Sequence, residues 1–467
     1  MDATPPALAL VLFGASGDLA SRKVLPAVGA VAPRARSRLR VVGAGRSELS
    51  PERFRAVVGD TTGSPDLAAS AEWVRLDYGD AGTYGGLREA LRGDAAPVYY
   101  LATPPSTFAP ILTALADAGL THRGDGSRIV VEKPLGEDEA SASELNAKLD
   151  ALFEDSQVFR IDHYLAKDTV QNLLAFRFSN SLFEAVWNRL LVDSIQITAA
   201  EDLDVGRRAG YYDHFGAVRD MVQNHVMQIL ALTTMEPPAT FDAADVRSAK
   251  TQLLRAVRPL DEATAVRGQY QGYLDAEGVA IDSRRETFAA ARLSIENWRW
   301  QGVPIFVRTG KALRRPVTEA VIRFKDAPRL ELEGRPVPGI PTLLVIRFQP
   351  GEEVVLRIGA KVPGGRFRLE PAGLRLEYNL LARGPLPDAY ENVFAEVLEG
   401  DHSVFPGPRE IERSWQIVDP LLREWERGGR PLPYAQGSWG PAEADTLVAR
   451  DGGRHWLTTG EEPGMEM

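Results

Sequence analysis

Three groups of residues in this 467-residue chain have the types and spacing to do chemistry. The first is Arg160-Ile161-Asp162-His163-Tyr164-Leu165-Ala166-Lys167. A helix starting near Asp162 would put that residue at its N-cap, a favoured place for aspartate. It would stack His163 and Lys167 at i and i+4 on one face. Two nitrogen donors beside a helix N-terminus make a phosphate pocket. A capped surface helix with an exposed lysine is the alternative, and for an isolated Asp-His pair it is the simpler reading. The second group runs from Asp213 to Met235, where Val218, Met221, Val222, His225 and Ile229 fall on one helical stripe. His225 then points inward, either into a dry core or, as its polar flanks Gln223, Asn224 and Gln228 favour, into a cleft. An imidazole so placed can act as a general base. No acid on its own helix orients it. Met221 and Val222 lie one turn back, and Asp220 stands about 140° around a 3.6-residue helix, turned toward a substrate rather than the imidazole.

The third group is Gly14-Ala15-Ser16-Gly17-Asp18-Leu19-Ala20, between an apolar run and a helical stretch. Glycines in such a turn let the backbone approach a pyrophosphate, and the helix N-terminus offers N–H groups to it. The spacing is G-x-x-G, so the usual dinucleotide fingerprint is only partly met. A tight turn without a ligand is the alternative. Further on, Arg46 and Ser47 follow Gly43-Ala44-Gly45. An arginine at that place accommodates the 2′-phosphate of NADP, where an acid would select NAD. Glu48 beside them leaves NAD use open.

The elements that must position these groups differ between the two parts of the chain. Ala7 to Phe13, Leu39 to Gly43, Val98 to Ala102 and Arg128 to Val131 are short, nearly continuous apolar runs. Helical stretches alternate with them, to about Ala32 and from about Phe108 to Ala118. That pattern predicts an α/β Rossmann domain with a doubly wound, mostly parallel sheet covered on both faces. Beyond about residue 190, strands are expected at Ser194 to Thr198, Ala320 to Phe324, Leu343 to Phe348, Val354 to Ile358 and Phe367 to Tyr378. They predict a larger α+β domain with a mainly antiparallel sheet. The boundary falls between residues 165 and 190, giving domains 1–175 and 176–467. The Gly- and Pro-rich tail after about Gly428 reads as irregular.

Composition narrows the function classes. Apolar residues are 44% of the chain, enough for two sizeable cores. A net charge of −10 argues against a surface built for nucleic acid or an anionic membrane, so a phosphorylated ligand needs a local cationic pocket. Cysteine is absent, which removes disulfides, thiolate metal sites and cysteine nucleophiles and suits a cytoplasmic location. Met1-Asp2-Ala3-Thr4-Pro5-Pro6 has no basic region of a signal peptide, and no apolar stretch reaches the 18 or so residues of a membrane span. No metal-ligand cluster is expected.

Taken together, these residues resemble the glucose-6-phosphate dehydrogenase family over nearly the whole chain. The ordered matches are Gly14 to Ala20, Glu132-Lys133-Pro134-Leu135-Gly136, Arg160 to Lys167 (with Ala166 in place of glycine), Arg219 to His225, and Thr309 to Leu313. The resemblance implies oxidation of C1 of glucose 6-phosphate with NADP as cofactor, on a Rossmann domain joined to a β+α domain, in a homodimer or homotetramer. It implies that His225 is the general base and Asp162 the carboxylate that orients it. His163, Tyr164 and Lys167 would hold the sugar phosphate, and Lys133 would lie near both substrate and nicotinamide. Glu201 and Asp220 would bond sugar hydroxyls, and Lys311 and Gln349 would add contacts from the large domain. Gly14, Ser16, Gly17, Asp18, Leu19, Arg46, Ser47 and Lys133 would form the cofactor site. Departures occur at Gly206-Arg207-Arg208-Ala209-Gly210-Tyr211 and at Pro316, and they bear on the sugar preference. A second, structural NADP site, to which Arg308 and Arg347 could belong, is expected to be absent because Val317 and Val321 replace cationic contacts.

Overall fold

The computed structural model describes residues 8–35, 37–93, 95–328, 330–332, 335–364, 367–381 and 386–457. Ala7 and the extreme N-terminus read above lie outside them. The chain forms two compact units, each discontinuous in sequence. The first comprises Met1–Lys167, Thr240–Arg247 and Pro387–Glu412; the second comprises Asp168–Ala239, Ser248–Leu386 and Arg413–Met467.

The first unit is built on six parallel strands, β1 (Leu8–Phe13), β2 (Leu39–Gly45), β3 (Glu72–Arg75), β4 (Ala95–Leu101), β5 (Arg128–Val131) and β6 (Val158–Arg160), in the order β3-β2-β1-β4-β5-β6. This is the Rossmann order, in which the sheet reverses direction of growth between β1 and β4 and ligands bind beyond the carboxyl ends there. The apolar runs became the four central strands. The outer strands β3 and β6 escaped the sequence pattern. Glu72-Trp73-Val74-Arg75 buries only Val74, and Val158–Arg160 is three residues long. Phe13 anchors an aromatic cluster with Tyr78, Tyr84 and Tyr99, at centroid separations of 6.2, 6.3 and 6.5 Å. The segment Pro387–Glu412 completes this unit: Phe394 on the helix Ala389–Glu399 stacks on Tyr100 of β4 at 5.3 Å.

The second unit carries a nine-stranded mixed sheet. Its strands are β7 (Val192–Ala200), β8 (Ala265–Tyr270), β9 (Phe288–Leu293), β10 (Ile305–Gly310) and β11 (Val317–Phe324), then, after the small hairpin β12 (Leu330–Leu332) and β13 (Arg335–Val337), β14 (Leu343–Gln349), β15 (Glu353–Lys361), β16 (Leu369–Glu377) and β17 (Leu432–Tyr434). The order is β16-β15-β14-β11-β7-β10-β9-β8-β17, antiparallel except where β10 joins β7 and β17 joins β8. Over its described residues, 428–457, the tail is more ordered than its composition suggested: Leu432–Tyr434 pairs with β8, and Glu443–Ala449 is a helix whose Ala444, Leu447 and Val448 are buried. Glycines there terminate elements rather than dissolve them. Trp187 and Trp300, both fully buried, satisfy their indole N–H groups on the carbonyls of Thr233 and Thr234, at 2.7 and 2.6 Å. Among the described residues, no helix is long and apolar enough to cross a membrane.

Candidate active site

In the first unit the Gly14 turn leaves the end of β1 with φ of 78°, a left-handed conformation suited to glycine. A Cβ there would sit 2.5 Å from the carbonyl oxygen of Ala102, just past β4. The turn is therefore pressed into the fork between β1 and β4, and only glycine fits. Gly17 N–H donates to the Gly14 carbonyl at 2.9 Å, which curls the chain into the helix that starts at Asp18. Ser16, Gly17 and Asp18 are exposed, as are Arg46 and Ser47 at the end of β2, while Leu19 is half-buried. Ser16 Oγ and Ser47 Oγ lie 3.1 Å apart, so the two stretches share one rim. Glu48, the acid beside Arg46, is held by Arg75 at 2.5 Å. The shape and donors fit a dinucleotide pyrophosphate and leave Arg46 facing solvent over the Tyr78 ring, 5.4 Å from its centroid.

The segment after β6 differs from the expectation. No helix begins at Asp162; the helix starts at Asp168. Residues 162–167 form consecutive turns, with Leu165 N–H on the Asp162 carbonyl at 3.0 Å and Lys167 N–H on the Tyr164 carbonyl at 3.1 Å. Asp162 uses Oδ1 to accept from Tyr164 N–H at 3.0 Å, the local bond that aspartate offers a turn in place of a helix cap. The turns still gather the predicted group. The Tyr164 ring lies 5.2 Å from the His163 ring and 4.6 Å from the Lys167 ammonium. Arg160 is spent on structure, fully buried with Nε on Asn146 Oδ1 at 3.1 Å.

Lys133 follows Glu132 at the end of β5. The Glu132 side chain is buried, and burial pushes its pKa up, opposed by hydrogen bonds from the hydroxyls of Tyr100 and Tyr390 at 2.6 and 3.1 Å. The Tyr390 ring also lies 6.1 Å from that of His163, nearly parallel at 19°. Neither tyrosine carried a signal in the sequence, since both work through contacts distant along the chain.

In the second unit, register brings together the remaining predicted residues at one end of the sheet. Gly310 of β10 and Val317 of β11 both pair with Ala200 of β7, and Thr318 pairs with Gln349 at the end of β14. Glu201, Lys311 and Gln349 thus leave the same edge. Lys311 pairs with Glu201, and its ammonium stands 3.8 Å from Asp220 Oδ2 and 5.4 Å from the Tyr212 ring centroid. Tyr212, buried beneath this pair, was not foreseen.

Asp220 and His225 lie on Val218–Val226, a π-helical segment packed on β7 and β10 and continued by the helix Met227–Thr234. A π-helix closes hydrogen bonds five residues apart, so Asp220 and His225 come near one face instead of 140° apart. His225 is buried, 1% exposed, and its backbone N–H donates to Asn224 Oδ1 at 2.6 Å. Gln228, one of the polar flanks, belongs to the core, accepting from buried Lys250 at 3.0 Å. The other arginines considered above are engaged inside this unit: Arg308 bonds Thr198 Oγ1 at 3.1 Å between the rings of Trp439 and Trp456, and Arg347 pairs with Glu353 at 2.8 Å.

Comparisons with known proteins point to one family. The family model described as glucose-6-phosphate dehydrogenase, NAD binding domain, matches residues 11–172, and that described as the C-terminal domain matches residues 174–457. Glucose-6-phosphate 1-dehydrogenase 2 of Mycobacterium tuberculosis is 42% identical, covering 96% of this chain and 94% of the relative. The crystal structure of glucose-6-phosphate 1-dehydrogenase from Mycobacterium avium superimposes with a TM-score of 0.85 at 36% identity, over 97% of this chain and 99% of that one. A glucose-6-phosphate dehydrogenase in complex with its substrate glucose 6-phosphate gives 0.88 at 34% identity, over 97% and 100%. With both family models matched in order and a parallel nucleotide-binding sheet joined to a large mixed one, the chain belongs to the glucose-6-phosphate dehydrogenase family.

Proposed function

We propose that this protein oxidises C1 of D-glucose 6-phosphate to 6-phospho-D-glucono-1,5-lactone, using NADP⁺ in preference to NAD⁺. The observation that carries the reading is the cluster of Glu201, Asp220 and Lys311, with His225 on the same π-helical segment as Asp220. Two acids around one lysine suit a polyhydroxylated ligand, and a buried imidazole on the segment that carries one of those acids suits proton removal from a hydroxyl.

The dinucleotide, when bound, supplies the acceptor for the hydride from C1. The chain supplies the rest. His225 takes the proton of the C1 hydroxyl, and Asp162 keeps the orienting role given by the family resemblance, fixing the tautomer and stabilising the imidazolium. Lys167, His163 and Tyr164 bind the 6-phosphate, and Lys133 stands by the reacting centre. Glu201, Asp220, Lys311 and Gln349 take the sugar hydroxyls. Gly14, Ser16, Gly17, Asp18 and Leu19 hold the pyrophosphate end, and Arg46 and Ser47 the 2′-phosphate. Residues 1–175 thus serve nucleotide binding in the main, and 176–467 the sugar and oligomerisation. A homodimer or homotetramer through the large sheet is supported by its outer strand β16, where Leu374 and Leu376 are exposed. A cytoplasmic location accords with the cysteine-free composition.

The test is the initial rate of NADPH formation with glucose 6-phosphate, in the wild type and in His225→Asn. Removing a positioned base costs about 10²–10⁴ in rate, while asparagine keeps volume and a hydrogen-bonding end. The expected result is a variant with near-normal substrate binding, a collapsed kcat, and no limb of the pH profile that rises with base deprotonation. A folded variant with wild-type kcat refutes the assignment.

A further inference from the structure

The helix bearing Asp220 and His225 does not run on from the one before it. Gly216, with φ of 76° and ψ of 175°, breaks the helix Ala209–Ala217, and the chain re-enters helical geometry at Ala217. A restart of this kind leaves N–H groups without intrahelical partners. Two of them are met by one residue: Ala217 N–H donates to the Glu286 carbonyl at 3.0 Å, and Val218 N–H donates to Glu286 Oε1 at 3.2 Å. Glu286 is 2% exposed. Burial raises its pKa, opposed by Arg285, by its hydrogen bonds to the backbone and by Arg219. A carboxylate at a helix start also meets the positive end of the backbone dipole.

The fit is close. A Cβ on Gly216 would lie 2.4 Å from Glu286 Oε1, so the glycine is what admits the carboxylate. Glu286 is itself fixed by its neighbour. Thr287 N–H bonds the Gly268 carbonyl at 2.8 Å, and the Thr287 carbonyl accepts from Lys311 N–H at 2.9 Å. Two consecutive residues therefore hold the start of the segment that carries Asp220 and the backbone of the lysine that faces Asp220 at 3.8 Å.

We propose that Glu286 is a positioning residue for the dehydrogenase reaction, its carboxylate fixing the start and the π-helical register of Val218–Val226 and so the common face of Asp220 and His225. This rests on the reading of His225 as the base. Without the cap the segment relaxes toward α-helical winding, in which Asp220 and His225 stand about 140° apart.

The experiment compares Glu286→Gln, Glu286→Asp and Glu286→Met in the full chain, with His225→Asn in parallel. Readouts are kcat, KM for glucose 6-phosphate, the pH profile of kcat, and Kd for NADP⁺ by fluorescence. Gln keeps the acceptor and is expected within about threefold of wild type. Met removes it, and misplacement on the ångström scale costs up to about 10²-fold in kcat, with a displaced pH limb and unchanged Kd for NADP⁺. Asp withdraws the carboxylate by one methylene and should fall between them; it decides the matter if Met fails to fold. Wild-type kcat and pH profile in Met or Asp, or a Gln variant as impaired as Met, overturns the proposal while leaving the base assignment intact provided His225→Asn is inactive. An active His225→Asn removes both.

Discussion

The hydroxyl of Tyr390 donates to Oε1 of Glu132, 258 positions away in the chain, at 3.1 Å. The same oxygen takes the Tyr100 hydroxyl at 2.6 Å, and the Tyr390 ring lies alongside His163. Tyr390 thus touches the residue before Lys133 and the ring of a proposed phosphate ligand at once, all within the first unit.

Tyr390→Phe keeps the ring and deletes the donor to a buried carboxylate, a loss of about 1–3 kcal/mol. KM for glucose 6-phosphate should rise several-fold with a smaller change in kcat, and the urea midpoint should fall. Steady-state kinetics beside urea unfolding checks this; an unaltered KM in a destabilised protein would leave Tyr390 a purely structural residue.

Cofactor choice should depend on two arginines in different ways. Charge-assisted bonds to a phosphate contribute about 1.5–3 kcal/mol, so Arg46→Ala should weaken NADP⁺ roughly tenfold or more relative to NAD⁺. Arg75 holds Glu48 at 2.5 Å, with both side chains exposed. Exposed pairs are worth at most about 1 kcal/mol. Arg75→Ala should therefore reduce NADP⁺ preference by only a fewfold, by freeing Glu48 to repel the 2′-phosphate. The ratio of kcat/KM values for the two cofactors reads both effects, and an Arg46→Ala enzyme with the wild-type ratio would place the phosphate elsewhere.

Glu396, on the helix Ala389–Glu399, has a pKa raised to about 7 by burial, then by Asp401 and Glu399. The native state therefore holds a proton that the unfolded chain releases near its ordinary value of 4.5. The contribution to stability is full below that value and is lost as pH rises toward about 7. Glu396→Gln removes the ionisation and should stabilise the protein at pH 8 more than at pH 5 in urea unfolding. Equal effects at the two values would mean that the native carboxyl titrates normally.

Much of this protein was determined by local sequence. Apolar runs such as Leu8–Phe13 and Arg128–Val131, alternating with helical stretches, read as strands covered on both faces and formed them, and a glycine at Gly14 meets a backbone angle and a close approach that side chains forbid. The motifs that carry His225, Asp162, Lys167 and Lys133 stand in the sequence in the order of the family's, and the roles proposed for these residues come from that resemblance. Tertiary structure decided what spacing cannot encode. Asp162 caps a turn and not a helix, its side chain accepting from Tyr164 N–H. Glu72–Arg75 became a strand because β2 offered it partners. Lys311 met Asp220 through the register of β7, β10 and β11 and the placing of the segment Val218–Val226. That segment took π geometry, shifting Asp220 toward His225, where an ideal helix keeps them apart. Hydrophobic periodicity records which face is buried at a standard pitch; it holds no information on a change of pitch, or on partners such as Glu286 and Tyr390 that arrive from distant parts of the chain.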